Sequence, residues 1–305
     1  MLDGDNWCSC VHENKWDKFY EDYKYELDQY DGFIATYPPV FARLFERTNK
    51  PIIIDIPIRY EYGMDSSPDS WNAFNTFLKK PNVHLVANSM YDKKYTEAFL
   101  GVDVKHIPSL CEYTNAKYSA AWENFIYYHS APLSEMHKNA LHKNSALTFG
   151  YKWQDLYKFS GIIHFPYNAS TMSFFEQYTA GVPLFFPSMN FLLELYQQGY
   201  DVLGQMSWNK AYNKKPGSII LHLSRYDPNN YADIYSVAHW VEYADFYNKD
   251  SFPNVQFFDT FKEINDIVEL ISLDSLISLS GKMIEDNKKR KSEVYKRWRE
   301  VLDGL

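Results

Sequence analysis

The chain has 305 residues, enough for two domains at the usual roughly 100–200 residues each. With 46% hydrophobic and 18% aromatic residues it can fill sizeable cores, yet no run approaches the roughly 18 consecutive apolar residues of a membrane span. A net charge of −8 argues against general nucleic-acid binding, which draws its affinity from Lys and Arg on phosphates, and leaves room only for a local anion site.

From the start of the chain, Met1-Leu2-Asp3-Gly4-Asp5 is acidic and has no apolar signal region, which predicts an intracellular, cytoplasmic protein. Cys8, Cys10 and Cys111 are an odd number. A Cys-x-Cys pair cannot readily close on itself and no second ligand pair accompanies it, so neither a disulfide framework nor a zinc site is expected. Short apolar runs at 32–36, 51–56, 84–87 and 104–108 then alternate with amphipathic stretches at 39–48 and 69–80, the pattern of βα units in a parallel sheet covered by helices. Ligands bind beyond the carboxyl ends of such strands, so the loops after Ile54 and Ala87 point towards a cleft. The first of these, Asp55-Ile-Pro-Ile-Arg59-Tyr-Glu61-Tyr, brings two carboxylates and an arginine together, a set suited to deprotonating a hydroxyl. Asp55 is the first candidate base, with Arg59 beside it; a carboxylate capping the turn before Pro57 is the competing reading. Asp5 and His12 are secondary base candidates.

The polar interval 109–119 breaks the rhythm and predicts a linker. A second alternation follows, with strands expected at 125–128, 146–149, 161–165, 183–186, 218–223 and 255–258, and amphipathic helix over the last thirty residues. The expected division is a lobe at 1–115, a second lobe at 116–285 and a closing helix at 286–305, both lobes being doubly wound α/β structures. The basic run Lys288 to Lys291 reads as a solvated helix face.

Residues 161–188 hold the densest chemistry. Residues 161–165 form a buried strand, and 167–171 a polar turn. Ser170 or Thr171 is placed to cap the helix that follows, whose free N–H groups favour phosphate. Glu176 lies one and a half turns into that helix and can accept hydrogen bonds from a ribose diol. Gly181 ends the helix, and Val182-Pro183 opens the next buried strand.

Ser173-Phe-Phe-Glu176, Ala180-Gly181-Val182-Pro183 and Leu184-Phe-Phe-Pro187 together resemble the nucleotide-binding lobe of GT-B glycosyltransferases. The resemblance implies two Rossmann-like lobes with the active site in the cleft between them. It also implies transfer of a sugar from a nucleoside diphosphate donor, UDP favoured, to a hydroxyl of a glycan or other acceptor, without an obligatory cofactor or metal. It assigns the ribose to Glu176 and the phosphates to the turn Ser170–Ser173, with Tyr167, Asn168, Thr171 and Met172 completing the donor site. By the same resemblance the strand-end loops at His129-Ser130 and Gly150-Tyr151-Lys152 meet the pyrophosphate and the base, and Ser188-Met189-Asn190 the donor sugar. An exposed lysine and a surface tyrosine are the other reading of Lys152 and Tyr151. In the first lobe Tyr60, Tyr62 and Trp71 are candidates to stack on sugar faces.

Retaining members often carry a second Glu, and many plant-type inverting members a His, eight residues before the ribose Glu; Asn168 stands there. The absence of that Glu favours inversion by direct displacement with a general base. Asp3-Gly4-Asp5 resembles the Asp-x-Asp metal motif of another glycosyltransferase fold, which needs a nucleotide-binding half before it, so no metal site is expected there. Asn168-Ala-Ser170 matches a glycosylation sequon, but modification would block the proposed site. A nucleotide-sugar epimerase of similar architecture and a non-catalytic carbohydrate-binding protein are the alternative functions.

Overall fold

Ile52, Ile53, Ile54 and Ile56 are β-branched and all buried, as a parallel strand covered on both faces requires. They form the central strand β2 (Ile52–Ile56) of a parallel sheet with β1 (Phe33–Ala35), β3 (Val83–Ala87) and β4 (Lys105–His106). The computed structural model describes residues 13–64, 67–128, 135–206 and 217–305. These form two compact units, one from the described residues of Met1–Pro108, Tyr212–Asn229 and Lys296–Leu305, the other from those of Ser109–Ala211 and Asn230–Tyr295. Both are mixed α/β structures built on parallel sheets.

In the first unit helix α1 (Glu13–Leu27) precedes β1, a 3-10 helix (Pro39–Thr48) joins β1 to β2, α2 (Pro68–Leu78) joins β2 to β3, and α3 (Met90–Leu100) joins β3 to β4. Ser89 caps α3 by accepting from the Asp92 N–H at 3.0 Å, and Gly101, at φ 66°, ends it. The strand order is β1-β2-β3-β4 without reversal. The expected doubly wound order is therefore corrected for this sheet: its described strands wind in one direction only. The apolar run 218–223, expected as a strand of the second lobe, is a turn belonging to the first unit. Ile220 donates its N–H to the Ala98 carbonyl at 2.8 Å, near the end of α3, so no sheet ladder holds it.

The second unit carries β5 (Phe125–Tyr128), β6 (Ala140–His142), β7 (Ile162–His164), β8 (Leu184–Pro187) and β9 (Gln256–Phe258), all parallel in the order β6-β5-β7-β8-β9. The order reverses between β5 and β7, because β5 is followed outward by β6 on one side and β7 by β8 on the other. Its helices are α4 (Lys143–Ala146), α5 (Trp153–Leu156), α6 (Met172–Thr179), α7 (Met189–Gln197), α8 (Ile234–Val241), α9 (Phe261–Leu270) and the thirty-residue α10 (Leu273–Leu302), whose residues from Lys296 onward count with the first unit. The expected strand at 146–149 is absent. A three-residue strand lies earlier, at 140–142, and Phe149 projects into solvent on a turn that Gly150 closes at φ 82°.

Gly181 has φ 74° where α6 ends, and a Cβ there would lie 2.7 Å from Ile284 Cγ1 on α10. Both the backbone and the packing therefore require glycine. Gly181→Ala is expected to destabilise the second unit by roughly 1–3 kcal/mol, seen as a lower urea midpoint at unchanged slope. An unchanged midpoint would mean that Ile284 yields without cost.

Candidate functional site

Tyr128 and His164 end the adjacent strands β5 and β7 and face each other in register. Their rings stack with centroids 5.2 Å apart, His164 stacks in turn on Phe186 at 4.5 Å, and Phe186 on Phe246 at 4.5 Å. This ladder crosses the carboxyl edge of the sheet where the strand order reverses, the place where open α/β sheets hold ligands. Buried Gln177 on α6 ties into it: its amide oxygen lies 2.6 Å from His164 Nε2, and its amide nitrogen donates to the Tyr128 hydroxyl at 3.4 Å. An oxygen acceptor puts a proton on Nε2. Together these contacts fix how α6 meets the sheet.

Beside the ladder opens a pocket of about 730 Å³. Its walls are aromatic at Tyr128, Tyr151, Trp153 and Tyr167, charged at Lys143, Glu176 and Asp201, and otherwise polar at Ser173, Gln177 and Gln205. Polar surface outweighs apolar in this lining, and ring faces beside convergent polar groups suit a polar small molecule that carries a flat ring. The Lys143 ammonium lies 4.8 Å from the Tyr128 ring centroid and 5.6 Å from that of Tyr151, so two ring faces hold it. Glu176 Oε1 accepts a hydrogen bond from the Tyr113 hydroxyl, and the Tyr113 ring meets Trp153 edge-on at 5.6 Å. Burial, followed by the nearby Glu176 charge, pushes the Cys111 thiol up to about 12. Burial first, then the hydrogen bond to Glu176, holds the Tyr113 hydroxyl above its ordinary range.

Of the residues singled out in the sequence, Tyr151, Tyr167, Ser173 and Glu176 share this pocket. Asn168 is buried behind it, where its side-chain oxygen accepts from the Ser170 N–H at 3.4 Å. Ser170, Thr171 and Met172 lead into α6 without lining the pocket. Thr171 occupies the N-cap position, but no side chain caps the helix, which corrects the expected hydroxyl cap. Gly150 and Lys152 are exposed and lie off the pocket wall, Lys152 starting α5 with its N–H donating to Asp155 at 3.3 Å. Ser188 caps α7 through the Phe191 N–H at 3.3 Å. His129, Ser130, Asp3, Asp5 and His12 lie outside the described residues.

Lys143 was missed because β6 was missed; it follows that strand directly, whereas Lys152 was expected in the loop after a strand at 146–149. Asp201 and Gln205 had no local signal. They reach the pocket because the Leu203 N–H donates to the Pro166 carbonyl at 2.8 Å and the Gln205 N–H to the Tyr167 carbonyl at 2.9 Å.

In the first unit Asp55 lies within β2, and burial raises its carboxyl to about 6. Arg59 is only 1% exposed and donates to Asp92 Oδ1 at 2.6 Å, with its guanidinium 4.7 Å from the Tyr91 ring centroid. This is a core ion pair, so the cleft-facing role expected of Arg59 is corrected. Glu61 is enclosed as well. It accepts from the Tyr95 hydroxyl at 2.5 Å, its Oε2 has no hydrogen-bond partner among the described residues, and burial raises it to about 8. Tyr60 and Trp71 are buried, which corrects their expected role as platforms for a sugar, and Tyr62 stacks on Tyr37 at 4.9 Å.

Among the described residues no group of three or more His, Cys, Asp or Glu is placed to hold a metal ion, and no helix is long and apolar enough to cross a membrane. No protein-family model matches the chain, and no curated protein matches it. Among solved structures it is similar to a chain in the crystal structure of accessory secretory protein 1, 2 and 3 in Streptococcus pneumoniae, at 10% identity and a TM-score of 0.40. The match covers 95% of this chain and spans 58% of the length of that one.

Proposed function

We propose that the second unit binds a nucleoside diphosphate sugar in the 730 Å³ pocket, and that the chain is a glycosyltransferase acting on a hydroxyl of a glycan or other acceptor. The observation that carries this reading is the position of Glu176: on the wall of a ring-lined pocket, in the helix that follows β7, at the reversal of strand order. A carboxylate there accepts both hydroxyls of a ribose. Ser173 and the uncapped first turn of α6 offer donors to the diphosphate, Lys143 supplies the positive charge, and Tyr151, Trp153 and Tyr167 offer faces to the base. UDP is the favoured nucleotide.

In this reading the departing diphosphate is stabilised by the α6 N-terminus and Lys143. An acceptor hydroxyl attacks the anomeric carbon as its proton passes to a general base, inverting the centre. Asp55, the first candidate of the sequence, stays the proposed base. The alternative of a non-catalytic binding protein is favoured by one observation, the enclosure of Arg59 against Asp92, which leaves Asp55 without the arginine expected beside it.

Thermal-shift titration with UDP, GDP and ADP tests the binding half. A nucleotide at about 100 times its dissociation constant stabilises by roughly 2.7 kcal/mol. Glu176→Ala and Lys143→Ala are each expected to weaken that nucleotide by about 10-fold or more, the lysine variant losing more of the salt dependence. Stabilisation by none of the three would sink the nucleotide reading. Binding without nucleotide-sugar turnover, in native protein as in Asp55→Asn, would select the non-catalytic alternative.

A further inference from the structure

Tyr113 is 61% exposed, yet its hydroxyl is committed to the Glu176 carboxylate, the group to which the reading above gives the ribose. It sits on a short segment, 109–115, whose conformation is unusual at both ends of its single 3-10 turn. Cys111 has φ 53° and Asn115 has φ 45°, left-handed values that asparagine tolerates and cysteine rarely adopts. The segment is tied down at discrete points. Arg290 on α10 donates to the Ser109 carbonyl at 2.7 Å, the Thr179 hydroxyl donates to the Leu110 carbonyl, and Lys291 meets both oxygens of Glu112 at 2.8 Å. Arg290 is buried, whereas Lys291 and Glu112 are both well exposed, at 41% and 48% of their side-chain surface. The first anchor is therefore firm and the last weak. Beyond the tip, Thr114 is buried and the Tyr118 N–H donates to the Ala180 carbonyl at 3.1 Å, so the segment is fixed at both ends and its exposed middle, Glu112 and Tyr113, can leave.

We propose that residues 111–115 form a strap whose Tyr113 blocks the donor site by occupying Glu176, and that ligand enters only when the strap swings away from the carboxylate. This rests on the nucleotide reading of the pocket. A ribose diol that spans both carboxylate oxygens needs Oε1, beside which the Tyr113 hydroxyl now stands, so closed strap and bound ligand compete for that edge, and the observed affinity is the intrinsic one reduced by the fraction of molecules that are open. Left-handed backbone at Cys111 favours release, because strain of that kind persists only while surrounding contacts hold it. Opening also uncovers Cys111, now buried and with its thiol raised by that burial.

Two measurements on the full chain test the strap separately from the nucleotide reading. Tyr113→Phe keeps the ring against Trp153 and removes only the hydroxyl. Calorimetry with UDP is expected to show this variant binding about 5- to 10-fold more tightly than native protein; equal or weaker binding overturns the strap. The second needs no ligand: the rate of Cys111 alkylation by iodoacetamide, read by mass spectrometry of its own peptide because Cys8 and Cys10 are also in the chain. Tyr113→Phe is expected to raise that rate about 5-fold or more. If UDP binds neither protein the UDP reading fails, and the alkylation rate still decides the strap, a faster rate supporting it and an unchanged one overturning it.

Discussion

Asp92→Ala is expected to cost the first unit about 3–5 kcal/mol, a large part of the roughly 5–15 kcal/mol by which domains are stable. The cause is what the substitution leaves behind. Arg59 is 1% exposed and Asp92 0%, and their 2.6 Å contact is the ion pair of that core. Ser89 adds its hydroxyl to Asp92 Oδ2 at 2.6 Å, while the Asp92 N–H returns a bond to the same hydroxyl. Removing the carboxylate strands a guanidinium that cannot shed its proton. Removing both charges is a different matter. The double variant Arg59→Met with Asp92→Leu replaces the pair by apolar volume and should recover most of the loss, since a buried pair gains little over well-packed hydrophobic groups. Urea denaturation of native protein, Arg59→Met, Asp92→Leu and the double variant gives the coupling as a closed cycle. This experiment also judges the catalytic role read for Arg59 in the sequence. A catalytic arginine would give a folded, inactive Arg59→Met protein at little cost in stability; a core arginine gives an unstable one that the second substitution rescues.

The contrast between Arg59 and Glu176 shows what kind of information the sequence holds. Glu176 was legible because its setting is local: a buried strand, a polar turn, a helix of eight residues and Gly181 follow one another within about twenty-five positions, and each has its own chemistry. The isoleucine run of β2 was legible for the same reason. Arg59 was misread because its partner lies 33 residues away, across a strand and a helix, and nothing in the loop around it announces that Asp92 waits beneath. Length limited the rest. β6 has three residues, Ala-Leu-His, too few for alternation to be seen, so the cation that follows it was sought nine residues too late, at Lys152 instead of Lys143. The run 218–223 failed in the opposite direction. Its apolar residues suggested a strand, but Leu221 and Leu223 are exposed and its backbone bonds to a helix end.

Between pH 6.5 and about 8 the first unit should lose roughly 2 kcal/mol of stability, and Glu61→Gln should abolish that loss. Burial raises the Glu61 carboxyl to about 8, whereas in the unfolded chain it titrates near 4.5. The folded protein therefore keeps a proton that the unfolded chain has already released. The stability this proton represents is complete below the unfolded value and is lost as pH rises through the folded one. Asp55, raised to about 6, acts with the same sign but has finished by then. His106 has the opposite sign: burial, with Arg297 and Lys93 nearby, lowers it to about 4, so its contribution grows as pH rises from there to 6.5 and then stays constant. Only Glu61 among these three titrates in the upper window. Melting temperatures of native and Glu61→Gln protein at the two ends of the window test the assignment, and parallel lines for the two would refute it. The outcome bears on catalysis as well. If Asp55 is the base, activity rises near pH 6 as it ionises, and Glu61→Gln should keep that rise with its midpoint at Asp55, because a loss of roughly 2 kcal/mol leaves a domain stable by about 5–15 kcal/mol folded and adds no falling limb.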